Sequence, residues 1–79
     1  LGLILQTLGK LKEAEISFRK VIELNPNFAE ANYKISLILS SQKDYKKAII
    51  EIDKAIDKDS SNYVYEAEKN RLIFLIRET

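Results

Sequence analysis

Seventy-nine residues can form one small domain at most, and a chain of that size buries only a modest core. A composition that is 46% hydrophobic and 32% charged is too apolar for disorder, and a net charge of +1 is not the footprint of a nucleic-acid binder. There is no cysteine and no histidine, which excludes disulfides and thiolate metal sites, removes the commonest general base and the best nucleophile, and fits a reducing, cytoplasmic setting.

The chain opens inside an apolar run without an initiator methionine and reads as a piece of a longer protein. A first helix is expected over roughly 1–8, ended at Gly9-Lys10, because glycine tolerates the left-handed backbone of a tight turn. A second is expected over about 11–24, with Leu11, Ala14, Phe18, Val21 and Ile22 on one face and Lys12, Glu15, Arg19, Lys20 and Glu23 opposite. Pro26 disfavours helical geometry in the residue before it, so Asn25-Pro26-Asn27 closes this helix. Asn27 followed by Glu30 has the spacing of a capping box and predicts the start of a third helix. That helix should run to about Ser41, with Phe28, Ala31, Ile35, Ile38 and Leu39 inward. Asp44 has the chemistry of an N-cap for a fourth helix from Tyr45 to about Lys58, which turns Tyr45, Ala48, Ile49, Ile52, Ala55 and Ile56 inward. After the polar break Asp59-Ser60-Ser61-Asn62, a fifth helix starts near Tyr63. The linkers are short, so successive helices must run antiparallel.

The chain repeats itself at an offset of 34 residues: Leu3/Leu37, Ile4/Ile38, Leu5/Leu39, Lys12/Lys46, Ala14/Ala48, Ile16/Ile50, Lys20/Lys54 and Ile22/Ile56 are identical. A fixed period of this length marks a stacked helical array, in which a unit too short to bury its own apolar face leans on its neighbours. The residues at the packing positions resemble the tetratricopeptide repeat family. Gly2 stands where the family keeps a small residue, Gly9 at the turn, Ala14 and Phe18 on the second helix, and Pro26 at the repeat boundary. In the second copy Tyr45, Ala48 and Ala55 fit, while Ser36, Lys43, Ile52 and Ser60 replace the small glycine, the turn glycine, the aromatic residue and the boundary proline. The resemblance implies an all-α fold of antiparallel helix-turn-helix repeats stacked as a fragment of a right-handed α-solenoid, about two and a half repeats long. Residues 1–28 would be a first repeat, 29–62 a second, and 63–79 a terminal helix, either a partial third repeat or a cap.

The family likeness further implies a non-catalytic interaction scaffold. A peptide or partner helix would lie in the concave groove lined by the first helix of each repeat. On this chain the groove would be built from Leu3, Gln6 and Thr7 on the first helix, Glu30, Tyr33, Leu37, Ser40 and Ser41 on the third, and Arg71 and Phe74 on the fifth. Tyr33 is the candidate hot spot, weighed equally against packing between repeats. The carboxylate-clamp subtype is not expected, since Lys69 and Arg71 are two residues apart and Leu37 stands where an asparagine would help.

No catalytic constellation accompanies this pattern. Glu13/Glu15 and Glu66/Glu68 point to different helix faces, Asp53 and Asp57 lie beside Lys54 and Lys58, and Ser36 and Ser40 lack a base. Neither an enzyme activity nor a metal or other cofactor is expected, and the isolated Gly2 and Gly9 make no phosphate loop. Leu72-Ile73-Phe74-Leu75-Ile76 is too short to span a bilayer, so no membrane partner is expected. Being apolar nearly all round, this run implies either cover by further chain or self-association, head to tail with the apolar edge of the first helix. The alternative function is a structural spacer or oligomerisation element attached to a catalytic domain outside these residues.

Overall fold

The computed structural model describes residues 2–78, with side chains from Gly9 onward. Four helices follow in order: α1 (Gly2–Leu24), α2 (Ala29–Ser41), α3 (Tyr45–Lys58) and α4 (Tyr63–Glu78), and no strand occurs among the described residues. Each helix packs chiefly on the next in the chain, α1 on α2, α2 on α3 and α3 on α4. The result is the expected stack of antiparallel helices, an all-α solenoid fragment.

The expected break at Gly9-Lys10 does not form, and one helix replaces the two read from the sequence. No glycine among the described residues has positive φ, and nothing lies within 4 Å of where a Gly9 Cβ would sit, so neither a reversal nor a close packing contact occupies this glycine. An interior glycine costs a helix only about 1 kcal/mol, whereas ending the helix leaves terminal carbonyls to be satisfied elsewhere.

The reversal that Gly9 was expected to make is made by its counterpart 34 residues on. Lys43 has φ 63. The amide of Asp44 donates to the Leu39 carbonyl at 2.9 Å, and the amide of Lys43 to that of Ser40 at 2.9 Å. This is a Schellman closure of α2 with a lysine at the left-handed position that glycine usually takes. Asp44 then caps α3, its carboxylate accepting from the Lys47 amide at 3.4 Å, as the sequence implied.

The two longer turns repeat each other. Asn25 to Val21, Phe28 to Asn25 and Ala31 to Phe28 bonds in one are matched by Asp59 to Ala55, Asn62 to Asp59 and Tyr65 to Asn62 in the other. The first contains Pro26. The second has Ser60 there and uses side chains instead: the Asp59 carboxylate accepts from Ser61 Oγ and Asn62 Nδ2, and Asn62 Oδ1 accepts from the Val64 amide at 3.0 Å. The capping box at Asn27 does not form. Asn27 lies in the turn, Phe28 is the N-cap, and no side chain bonds the first turn of α2.

The core runs along α2 and α3. Ala29, Ile35, Leu39, Ala48, Ile52, Ala55, Tyr65 and Leu72 are buried together, with Phe18, Ile22, Tyr33, Tyr45, Ile49 and Ile56 packed against them. Phe28 and Val21, both expected inward, are exposed. Phe28 is displaced by serving as the N-cap, outside the helical face it was assigned to. Val21 lies near the C-terminal end of the unbroken helix α1.

Candidate functional site

The first-helix surfaces of successive units, α2 and α4, meet at two points. Near the N-terminal ends of α2 and α4 the Tyr33 and Tyr65 rings sit with centroids 5.0 Å apart and planes tilted by 37°, within the range of favourable aromatic pairs. Lys34 Nζ hangs over the Tyr33 ring at 5.9 Å. Tyr65 is buried, and burial raises its pKa, reinforced by the charges of Asp59 and Glu30 and by Tyr33. One turn and more along, Arg71 Nη2 donates to Ser40 Oγ at 2.9 Å, while the same guanidinium grips Glu68, with Nε donating to both carboxylate oxygens at 3.0 and 3.2 Å. The hydrogen bond to Glu68 raises the Arg71 pKa further above its already high value, against the opposing effect of burial. Arg71 is thus a positioned cation, with one N–H on Ser40 of α2 and two more, from Nε and Nη2, on Glu68 of its own helix.

Of the other residues expected on the groove, Leu37 lies between these points along α2, and Glu30, Ser41 and Phe74 lie beyond them. Leu37 is half-buried, and Glu30 and Ser41 are exposed. Phe74, one turn from Arg71, is 60% exposed. Ser41 Oγ donates back to the Leu37 carbonyl at 3.1 Å, which leaves its oxygen free to accept. Ser40, expected as a groove hydroxyl, is buried and accepts from Arg71. Tyr33 packs on the core and against Tyr65, so its ring is largely a contact between units. The side chains of Leu3, Gln6 and Thr7 lie outside the described residues.

A polar cluster went unread in the sequence. Glu51 on α3 is 5% exposed, and Asn32 on α2 is 1% exposed. Asn32 Nδ2 donates to Glu51 Oε1 at 3.2 Å, Lys58 Nζ donates to Asn32 Oδ1 at 2.6 Å, Lys54 Nζ reaches Glu51 Oε2 at 3.3 Å, and Arg19 Nη1 on α1 lies 3.8 Å from Glu51 Oε1. The cluster ties three helices in one register. The sequence held a signal, since Glu51 is three residues after Ala48 and four before Ala55, inside the apolar stripe of α3. Its repeat counterpart is Ser17, so no periodic identity drew attention to it.

What the described residues offer here is surface: apolar side chains, a fixed guanidinium and hydroxyls along two adjacent helices. No group of three or more carboxylates among the described residues is gathered to hold a metal ion, and no described helix is long and apolar enough to cross a membrane.

Comparison with known proteins agrees with the period. One tetratricopeptide repeat model matches residues 1–28 and another matches residues 17–50. Over 78 residues, 99% of this chain, the sequence is 28% identical to anaphase-promoting complex subunit 3 of Schizosaccharomyces pombe. The chain spans 12% of that relative's length.

Proposed function

Given that the chain belongs to the tetratricopeptide repeat family, we propose that it is a non-catalytic protein-interaction scaffold that holds a peptide or partner helix in the concave groove of α2 and α4. In this reading residues 29–62 form one full repeat, 1–28 the part before it and 63–79 the part after. The relative is named as a subunit of a larger complex, which accords with a role in holding proteins together. The observation that carries the proposal is the Arg71–Ser40 bond at 2.9 Å. It joins the groove faces of two units and fixes a cation within a turn of Phe74, which is 60% exposed. A ligand with one apolar anchor and a carbonyl or carboxylate to accept from Arg71 meets both. Leu37 and Ser41 supply the neighbouring apolar and polar contacts. We assign no cofactor, nucleic acid or membrane to this groove.

Selection from a displayed peptide library against the chain tests this. Leu37→Ala and Phe74→Ala should each abolish binding of a selected peptide, with Phe74→Ala leaving the thermal melt unchanged because that ring is mostly in water. Tyr33→Ala should weaken binding and stability together, since its ring also supports Tyr65. Failure to select any ligand, or ligands indifferent to both Leu37 and Phe74, would overturn the groove reading in favour of a spacer role.

A further inference from the structure

The outer helices, α1 and α3, carry a second surface. Between residues 11–24 and 45–58, five pairs are identical at the 34-residue offset. Packing accounts for two of them, Ala14/Ala48 and Ile22/Ile56: Ala48, Ile22 and Ile56 belong to the core, and Ala14 is half-buried. The other three, Lys12/Lys46, Ile16/Ile50 and Lys20/Lys54, are exposed on both helices. Ile16 is 61% exposed and Ile50 55%. One isoleucine in water is ordinary, but the same isoleucine between the same two lysines in successive units is a pattern. It is not general along these helices, since Glu13 answers to Lys47 and Arg19 to Asp53.

The spacing i, i+4, i+8 sets each lysine, isoleucine and lysine in one row on the helix surface. The two helices adjoin, with Arg19 Nη1 of α1 lying 3.8 Å from Glu51 Oε1 of α3, so the rows stand on neighbouring helices that run the same way. Helix α3 packs on α2 and on α4, and Ile50 stays exposed with both in place, so no end of the chain leaves it bare. Lys12, Lys20 and Lys46 form no ion pair among the described residues, and Lys54 bonds Glu51 Oε2 at 3.3 Å. The lysine stems extend the apolar strip on either side of each isoleucine while the ammonium groups stay in water. Each row then ends on an exposed carboxylate, Glu23 on α1 and Asp57 on α3. Those carboxylates oppose an anionic bilayer or a phosphate backbone, and the isoleucines have no use for the latter. Cation, aliphatic, cation is instead the complement of a polypeptide that offers acid, aliphatic, acid.

We propose that the outer face of α1 and α3 binds an acidic segment of a partner protein in which carboxylates flank aliphatic residues. The aliphatic residues cover Ile16 and Ile50, and the carboxylates pair with the lysines before and after them. This face is separate from the concave groove, so the scaffold holds two partners at once.

The test selects a displayed peptide library against the 79-residue chain carrying Phe74→Ala, which silences the concave groove. Recovered peptides should carry aspartate or glutamate on both sides of an aliphatic residue. In fluorescence anisotropy a recovered peptide should bind Ile50→Ser about tenfold more weakly, the scale of burying one aliphatic side chain. Lys46→Gln should cost about two- to fivefold, the scale of one exposed ion pair, and about 0.5 M salt should do the same to the parent. Both side chains are exposed, so thermal melts of the two variants should match the parent. Recovery of no acidic peptide, or of peptides indifferent to Ile50→Ser and Lys46→Gln, would overturn the proposal. Cosedimentation of the chain with vesicles of phosphatidylcholine and phosphatidylserine, lost in Ile50→Ser, would overturn it in favour of a lipid surface. A dimer in analytical ultracentrifugation that Ile50→Ser dissolves would overturn it in favour of a second copy.

Discussion

Replacing Glu51 with alanine removes the centre of the polar cluster that joins α1, α2 and α3. The Glu51 side chain is 7% exposed, so its bond from Asn32 at 3.2 Å is shielded from water. A hydrogen bond to a charged group contributes about 1.5–3 kcal/mol. The ion pairs to Lys54 and Arg19 add less, because those partners are 54% and 47% exposed, and exposed pairs contribute about 0.2–1 kcal/mol each. Part of this is offset by no longer burying a carboxylate. The expected loss for Glu51→Ala is about 2 kcal/mol, which for a domain of this size lowers Tm by roughly 8–16 °C. Circular dichroism melts at low and at 1 M salt measure it. High salt screens the exposed pairs but not the buried bond, so most of the difference should persist. An Asn32→Leu, Glu51→Met double variant should recover much of the loss, because paired removal orphans neither of the two buried groups, and Lys58, which loses Asn32, is only half-buried. A Tm for Glu51→Ala within about 2 °C of the parent, or a loss that vanishes in 1 M salt, would refute the reasoning; both thresholds are set against the magnitude above.

Three further outcomes follow from the backbone and from burial. Lys43→Gly should stabilise by about 1 kcal/mol in urea unfolding, since a side chain at φ 63 is strained where glycine is not. Gly9→Ala should also stabilise, by roughly 0.5–1 kcal/mol, because the position is interior to α1 and its Cβ meets nothing within 4 Å; a loss of stability would show that the chain reverses there after all. Alkaline titration followed by tyrosinate absorbance should show a late-ionising step above the ordinary tyrosine value, and Tyr65→Phe should remove that step. Tyr65 and Lys69 both have raised pKa values in the folded state, so the stability they contribute is complete below the ordinary values near pH 10 and is lost as pH climbs through the raised ones.

The fold was legible in the sequence because its signals were redundant. Period, helical spacing and loop chemistry all pointed to stacked hairpins, and Asp44 capped the helix it was expected to cap. What misled was local chemistry read without its partner. Gly9 has the conformational freedom for a turn, yet nothing obliges a glycine to turn, while Lys43 turns against its own preference because the α2–α3 packing on either side imposes it. Asn27 has the right residue three positions after it, but the proline turn places the helix start one residue later. On the groove, Arg71 and Phe74 came from the repeat offset alone, and the structure joins Arg71 to Ser40. Asn32 and Glu51 were missed for one reason: polarity was taken to mean solvent, whereas their burial follows from sharing a stripe with alanines and isoleucines.

The distribution of burial along the stack also sets how the molecule loosens. Helices α2 and α3 are each flanked by a helix on both sides in the chain, and α2 buries Ala29, Ala31, Asn32, Ile35, Ser36, Ile38, Leu39 and Ser40, against Tyr65 and Leu72 for α4. Amide exchange should therefore be slowest in the middle and quicken toward α4, so that the tip frays while the centre holds. Tyr33 and Leu37 ride on the rigid element, and Arg71 and Phe74 on the pliant one. A ligand spanning both would tighten α4 as it binds, and part of its binding energy would be spent quieting that end.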